Sequence, residues 1–440
     1  MLALASSAAC LTLFSIAGAT ANPYLPAGAH AVLNYEQSSI NRNLDTSKIL
    51  ALNNHQSKKY SPEAGETFEV QSFWLDIDDV NVFFSEPDSK AVQFPLIRVS
   101  NGRKQVLFLV HPESLSFYGE LIKKADAGPV FEATATASSR TLMMWPEGKP
   151  EEVFFGKLSL NKEIGGVIRT IPKGEIARSV GVTRILEAAR LELPPSFDFL
   201  PEFFGVMPKG LERGGMLLRS IPAKMKSGQT HIMPLFALYT VPKKKKQSPI
   251  EIMIKTSKMK PRDFIVQKIL RPFIKQWLEL AIDHGITVEA HAQNVLLETN
   301  ASGLPNGVFV YRDFGGFNID LAYRRERGLA MPAELPISTD ESNDYHQKQH
   351  EKALRASLET YFEGGFLFGL GQDMIRQKHK SLDYEALQKL LKNVMTEELS
   401  IRGQKIGKGD FYENLLTTVK VARSEKTLRA SRCRDLFTSL

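Results

Sequence analysis

Near residue 260 the hydrophobic pattern of this 440-residue chain changes period, and no other feature restricts the fold as much. From about 80 to 255 the apolar residues come in short runs: VNVFF, KQVLFLV, RTLMMW, EVFFGKLSL, GGVIRTI, GMLLRSI and HIMPLFALYT. Gly, Pro, Asn or charged residues bound these runs, a pattern that predicts strands. One helical interruption is expected over 175–191, EIARSVGVTRILEAARL. From 262 onward the period becomes helical, with Phe264, Ile265, Ile269, Phe273, Trp277, Leu278 and Ala281 on one stripe. Gly285 suits the position just past that helix, and Pro272 within it predicts a kink or a break. Two further helical regions are expected over 342–376 and 383–424, whereas 22–80 shows no strong period and reads as a polar, partly extended lead-in. The fold class is therefore α+β, and the chain is too long for one compact core. The expected divisions are a signal-like apolar segment 1–21, the lead-in 22–80, a β-rich domain 81–255 and a helix-rich domain 256–440.

Composition removes several classes. With 43% hydrophobic and 24% charged residues the chain is a folded protein. Its net charge of +7 is spread along the sequence apart from the run Lys243 to Lys246. No zinc-ligand set, helix-turn-helix signal or aromatic–basic alternation accompanies that charge, so no nucleic-acid partner is expected. A basic cleft for small anions, such as nucleotides or carboxylates, is the milder reading. Cys10 and Cys433 are the only cysteines, which allows neither a disulfide framework nor a cysteine-ligated iron–sulfur cluster built from this chain. The opening MLALASSAACLTLFSIAGATANP ends in Ala19-Thr20-Ala21, which fits a signal-peptide cleavage site but lacks the usual Lys or Arg before the apolar stretch. Nothing else is apolar over enough length to span a membrane.

Two polar blocks interrupt the apolar pattern. EAHAQNVLLE, 289–298, carries Glu289, His291, Gln293 and Asn294; YRDFGGFNID, 311–320, carries Arg312 and Asp313 ahead of Gly315 and Gly316. A run that delivers Asp313 to its end, beside a glycine turn, places a carboxylate where a metal or a phosphate-bearing ligand can reach it. Mg²⁺ takes one or two carboxylates plus phosphate oxygens and water, and Asp313 with Glu289 could supply that pair. Upstream, Ser138, Arg140 and Thr141 adjoin a strand, while Lys157 and Arg169 lie within apolar runs. A cation buried in a strand is costly unless it meets an anion, so these residues together suggest an anion-binding wall. Singly, each reads as an ordinary surface or satisfied core residue. An Asn preceding Asp-Phe-Gly also fits a kinase-like phosphotransferase, but no catalytic Asp precedes the Asn, and no Gly-rich loop or lysine-bearing strand is evident.

The ordered set SSRTL, the Lys of FGKLSL, the Arg of GGVIRTI, EAHAQN and YRDFGG resembles the NRPS-independent siderophore synthetases, the IucA/IucC family. The likeness is good over 100–330 and looser beyond. It implies a hand-like fold, in which 22–80 forms a reduced thumb, 81–255 the fingers and 256–440 the palm. It further implies that ATP activates a citrate-like (poly)carboxylic acid as an acyl-adenylate, which an amine or hydroxyl nucleophile then attacks. Carried over by motif, Ser138, Arg140, Thr141 and Lys157 bind the ATP phosphates. Gln293 and Asn294 position the nucleotide, Arg169 and His291 face the carboxylate substrate, and Glu289 and Asp313 hold Mg²⁺. Homodimers are frequent in the family, and ATP-dependent work implies the cytoplasm. Where the family has basic residues after His-Pro, HPESLSFYGE has Leu, Ser and Tyr, which points away from the usual carboxylate. A kinase-like phosphotransferase and an exported, non-enzymatic protein that retains the fold are the alternatives.

Overall fold

The computed structural model describes residues 25–39, 59–62, 64–85, 92–164, 167–242, 245–332, 352–354 and 356–406. The signal-like segment 1–21, the lysines at 243 and 244, and the expected helical stretch 407–424 lie outside them. Two compact units are formed, the first from Met1–Lys260, Gln293–Gly315 and Met331–Ser338, the second from Pro261–Ala292, Gly316–Ala330 and Thr339–Leu440. Among the described residues no helix is long and apolar enough to cross a membrane.

The first unit is built on a ten-stranded sheet. Nine strands follow the order Val80–Phe84, Glu202–Pro208, Met216–Arg219, Phe154–Leu158, Thr141–Pro146, Phe131–Ser138, Thr67–Asp76, Arg103–Val110 and Ile97–Ser100, and the short strand Asp126–Ala127 also pairs with Thr67–Asp76. Both faces of its centre are covered. Leu142, Met144 and Phe154 enter one apolar cluster with Phe108, Phe131 and Phe204. Their neighbours Met143, Trp145 and Phe155 point the other way, into a cluster with Val32, Leu33, Leu296 and Val310. Strands buried on both faces lose the alternation of apolar and polar residues, and this is why RTLMMW and EVFFGKLSL read as continuous runs. The second cluster is supplied by helix Ala27–Ser38 and by a four-stranded sheet in the order Phe197–Phe199, Pro305–Tyr311, Val295–Thr299, His231–Pro234. Helix Lys173–Ala188 fits the interruption expected over 175–191.

Two local readings change. HIMPLFALYT is a strand only over His231–Pro234; Leu235–Tyr239 is helical. Pro234 supplies an extended residue before the turn, and because Leu235 to Leu238 are all buried no period distinguishes helix from strand. The lead-in is more ordered than its composition suggests, holding helix Ala27–Ser38 and the long strand Thr67–Asp76. In that strand Val70, Ser72 and Trp74 face inward. The alternation is therefore present but concealed by a buried serine, whose hydroxyl donates to the Pro129 carbonyl.

In the second unit the break foreseen at Pro272 takes a specific form. Pro261–Phe264 is α-helical, Ile265–Leu270 is a π-helix, and Arg271–His284 resumes as α-helix with Pro272 in its first turn. Widening the preceding turn accommodates the proline's missing N–H and ring. Gly285 ends the helix at φ 61°. Phe273 stacks on Phe362 at 4.0 Å, and Arg271 donates to Glu398 at 2.7 Å. These contacts tie Arg271–His284 to the π-helix Ala356–Leu367 and to helix Tyr384–Ile406.

His111, at the end of strand Arg103–Val110, is fully buried in the first unit. Its Nδ1 accepts the Glu113 amide proton at 3.1 Å, and the Tyr60 and Phe68 rings lie 5.5 and 6.3 Å away. Burial pushes its pKa down to about 3, with the Ser139 backbone opposing and the Lys162 ammonium reinforcing. Below pH 6.5 the unfolded chain takes up a proton that the folded chain refuses. Stability from this residue is therefore complete above 6.5 and declines as pH falls toward 3, by up to about 1.4 kcal/mol per pH unit. His111→Asn, which keeps an acceptor for the Glu113 amide, is expected to flatten the decline in urea midpoint between pH 7 and 5. An unaltered slope in that variant would assign the decline to other groups.

Candidate functional site

Lys157 lies in strand Phe154–Leu158, every residue of which is buried. Its Nζ donates to Glu175 at 2.8 Å and to Asp313 at 2.5 Å, and its side chain is 4% exposed. Thr141 pairs with Lys157 on the adjacent strand, and Ser138 pairs with Thr141 across the hairpin that carries Arg140. Arg140 sits 3.9 Å from Glu175 and donates to the Arg169 carbonyl at 3.3 Å. Ser138, Arg140, Thr141, Lys157 and Arg169 therefore form one cationic patch in the first unit.

Asp313 occupies left-handed backbone at φ 67°, the turn that brings its carboxylate back to Lys157. Burial alone would raise its carboxyl, but Lys157, Arg219 and Arg140 together hold it well below the ordinary carboxylate range. Phe314, next in sequence, donates its amide to Glu202 at 3.1 Å, and Glu202 is ion-paired with Arg219. Gln293 donates to the Ala137 carbonyl at 2.8 Å, and the Asn294 carbonyl accepts the Arg312 amide at 3.1 Å. Both residues belong to the first unit.

Glu289 and His291 belong to the second unit. The Tyr361 phenol is hydrogen-bonded to Glu289 and lies edge-on to His291, ring centres 5.5 Å apart. Burial and then the Glu289 carboxylate push Tyr361 up to about 12. Ser357 steadies the same segment by donating to the Val288 carbonyl and accepting the Ala290 amide at 3.3 Å. A Cβ on Gly316 would meet Glu289 Oε2 at 2.5 Å, so only glycine allows this approach.

Three contributors escape a sequence reading. Glu175 lies in the first turn of helix Lys173–Ala188, where an acidic residue is already favoured by the helix dipole and so attracts no notice. Arg219, in the apolar GMLLRSI, is a buried cation of the same kind as Lys157, and that analogy is the signal that could have found it. Glu202 carries no local signal at all.

Burial and then the Arg140 guanidinium push Arg169 down, because two guanidinium groups share one neighbourhood. An anion placed between them relieves that repulsion, so the patch fits the phosphate groups of a nucleotide. In the first unit, Asp313 and Glu175, which share the Lys157 ammonium, are carboxylates that a divalent cation could reach, while Glu289 belongs to the second unit.

This architecture is similar to that of solved aerobactin synthetases. The ATP-bound aerobactin synthetase IucA from a hypervirulent pathotype of Klebsiella pneumoniae superposes with a TM-score of 0.58 at 15% identity, covering 79% of this chain and 65% of that one. The petrobactin biosynthesis protein AsbB from Bacillus anthracis str. Sterne gives 0.59 at 16%, covering 83% and 65%. The aerobactin synthetase IucC from the same Klebsiella pathotype gives 0.57 at 16%, covering 86% and 74%. The chain thus spans about two thirds of the length of the first of these, 65%. Residues 48–240 match the model of the IucA / IucC family. Residues 267–363 match a second family, described as ferric iron reductase FhuF-like transporter. No curated protein matches the sequence.

Proposed function

We propose that the protein is an ATP-dependent ligase of siderophore biosynthesis. It activates a (poly)carboxylic acid of the citrate type as an acyl-adenylate and passes the acyl group to an amine or hydroxyl nucleophile. The observation that carries this reading is the buried Lys157 ammonium, held by Glu175 and Asp313, beside the Arg140–Arg169 pair. Adenylation concentrates negative charge on the phosphates, and preorganised cations stabilise that charge without reorganising. Ser138, Arg140, Thr141 and Lys157 bind the phosphates, and Gln293 and Asn294 position the nucleotide. By the family resemblance, Arg169 and His291 face the acid, and Mg²⁺, which would screen the phosphates, falls to Asp313 and Glu289. Work on ATP assigns the protein to the cytoplasm.

The test is pyrophosphate release by the full chain with ATP and Mg²⁺, across citrate and a panel of polycarboxylic acids, with and without diamines. Acid-dependent release together with AMP supports the ligase. ADP in place of AMP replaces it with a phosphotransferase, and absence of ATP binding replaces it with a non-enzymatic protein of the same fold. Arg140→Ala is expected to weaken ATP affinity about tenfold, the scale of one charge-assisted contact. Unchanged affinity by calorimetry would remove Arg140 from the phosphate site.

A further inference from the structure

Glu36 lies in helix Ala27–Ser38, far in sequence from every motif above, and is 2% exposed. A buried carboxylate with no purpose would be expensive, yet this one has two charge-relevant partners. One oxygen is ion-paired with the Arg312 guanidinium, itself buried, and the other accepts the Ala137 amide proton at 2.7 Å. Arg312 also donates through Nη2 to the Gln293 carbonyl at 2.8 Å and through Nε to the same oxygen at 3.2 Å. Gln293 in turn donates its side-chain amide to the Ala137 carbonyl at 2.8 Å. The circuit Glu36–Arg312–Gln293–Ala137 closes on itself, and all four members belong to the first unit.

What the circuit joins is specific. Ala137 immediately precedes the hairpin bearing Ser138, Arg140 and Thr141. Arg312 immediately precedes Asp313, and Gln293 begins the strand connection that pairs with it. We propose that Glu36 is a positioning residue for the nucleotide wall: through Arg312 and the Ala137 amide it fixes the Ser138–Thr141 hairpin against the strand end that carries Asp313. This rests on the nucleotide reading given above. Arg312 needs a buried anion to be tolerated, and the hairpin needs an anchor beside Ala137, because the ladder between its strands shifts register between Ala135 and Ser138. Gln37, the next residue on the helix, provides an internal control. It donates to Thr134 Oγ1 and to the Ala135 carbonyl, both at 2.9 Å, so it grips the same strand without touching the circuit.

The experiment compares Glu36→Ala, Glu36→Gln and Gln37→Ala in the full chain, with ATP affinity measured by calorimetry and backbone exchange by hydrogen–deuterium exchange. Glu36→Ala is expected to lose about tenfold in ATP affinity and to raise exchange at residues 137–141. Glu36→Gln, which keeps an acceptor for the Ala137 amide, should recover part of both. Gln37→Ala should lower the melting temperature while leaving ATP affinity unchanged. Equal losses of affinity in the Glu36 and Gln37 variants, in proportion to melting temperature, would overturn the proposal, as would a Glu36→Ala protein with native affinity. If the unaltered protein binds no ATP, the nucleotide reading falls separately. Exchange at 137–141 then still decides whether Glu36 fixes the hairpin, and unchanged exchange there rejects it.

Discussion

Lys157→Met is expected to lower ATP-dependent AMP formation by about 10²–10³-fold, the effect of removing one preorganised charge from a developing anion. Methionine matches the length of the lysine stem, so the strand Phe154–Leu158 keeps its packing while the ammonium is lost. Glu175 and Asp313 then face each other without the cation that both now contact at 2.8 and 2.5 Å. Asp313, raised by burial and no longer lowered by Lys157, moves up toward the ordinary carboxylate range or beyond it. Because these carboxylates keep side-chain exposures of 24% and 28%, water takes up part of the charge. The stability cost is therefore modest, about 1–2 kcal/mol. Loss of activity with a largely intact melting curve is the expected pair of results. ATP affinity within twofold of the original protein would sink the assignment of Lys157 to the phosphates.

Arg219→Met should act on stability instead. Arg219 and Glu202 form an ion pair whose side chains are 4% and 1% exposed, and the other Glu202 oxygen accepts the Phe314 amide. Removing the guanidinium leaves a buried carboxylate with too few donors, a loss of about 3–5 kcal/mol. Adding Glu202→Gln to Arg219→Met removes the stranded charge and should restore a large part of that loss. Urea unfolding of the two variants measures both values. A single-variant loss under about 1 kcal/mol would mean that water or a neighbour already satisfies Glu202. Since Glu202 also holds the turn after Asp313, the single variant should loosen the RDFGG segment as well.

Much of this arrangement was legible in the residues. Lys157 stood out because a charge within an apolar run needs an anion somewhere, whatever the fold; Arg169, by contrast, is half-buried beside the exposed Val167 and Ile168 and donates to the Ile164 carbonyl. Asp313 stood out because Gly315 and Gly316 follow it, and a flexible turn is what a carboxylate at a strand end requires. The helical stop at Gly285 and the disturbance at Pro272 follow from the backbone preferences of glycine and proline, which are local. Glu36 was not legible, since AGAHAVLNYEQS mixes Gly, Ala and polar residues so evenly that its inward stripe of Val32, Leu33, Tyr35 and Glu36 gives no clear period. Strand Thr67–Asp76 was concealed in the same way by the inward Ser72.

The sequence by itself determined the succession of elements, the α+β class and the kinds of charged group the interior must accommodate, because period, turn chemistry and burial cost act over a few residues. Only the tertiary structure decided which groups meet. Lys157 and Asp313 are 156 residues apart, and Arg312 and Glu36 are 276 apart. Residues 293–315 join the first unit although the chain on either side belongs to the second. Such pairings depend on strand order and register, which are settled by how whole sheets and helices bury their faces together, and no short stretch of sequence carries that information.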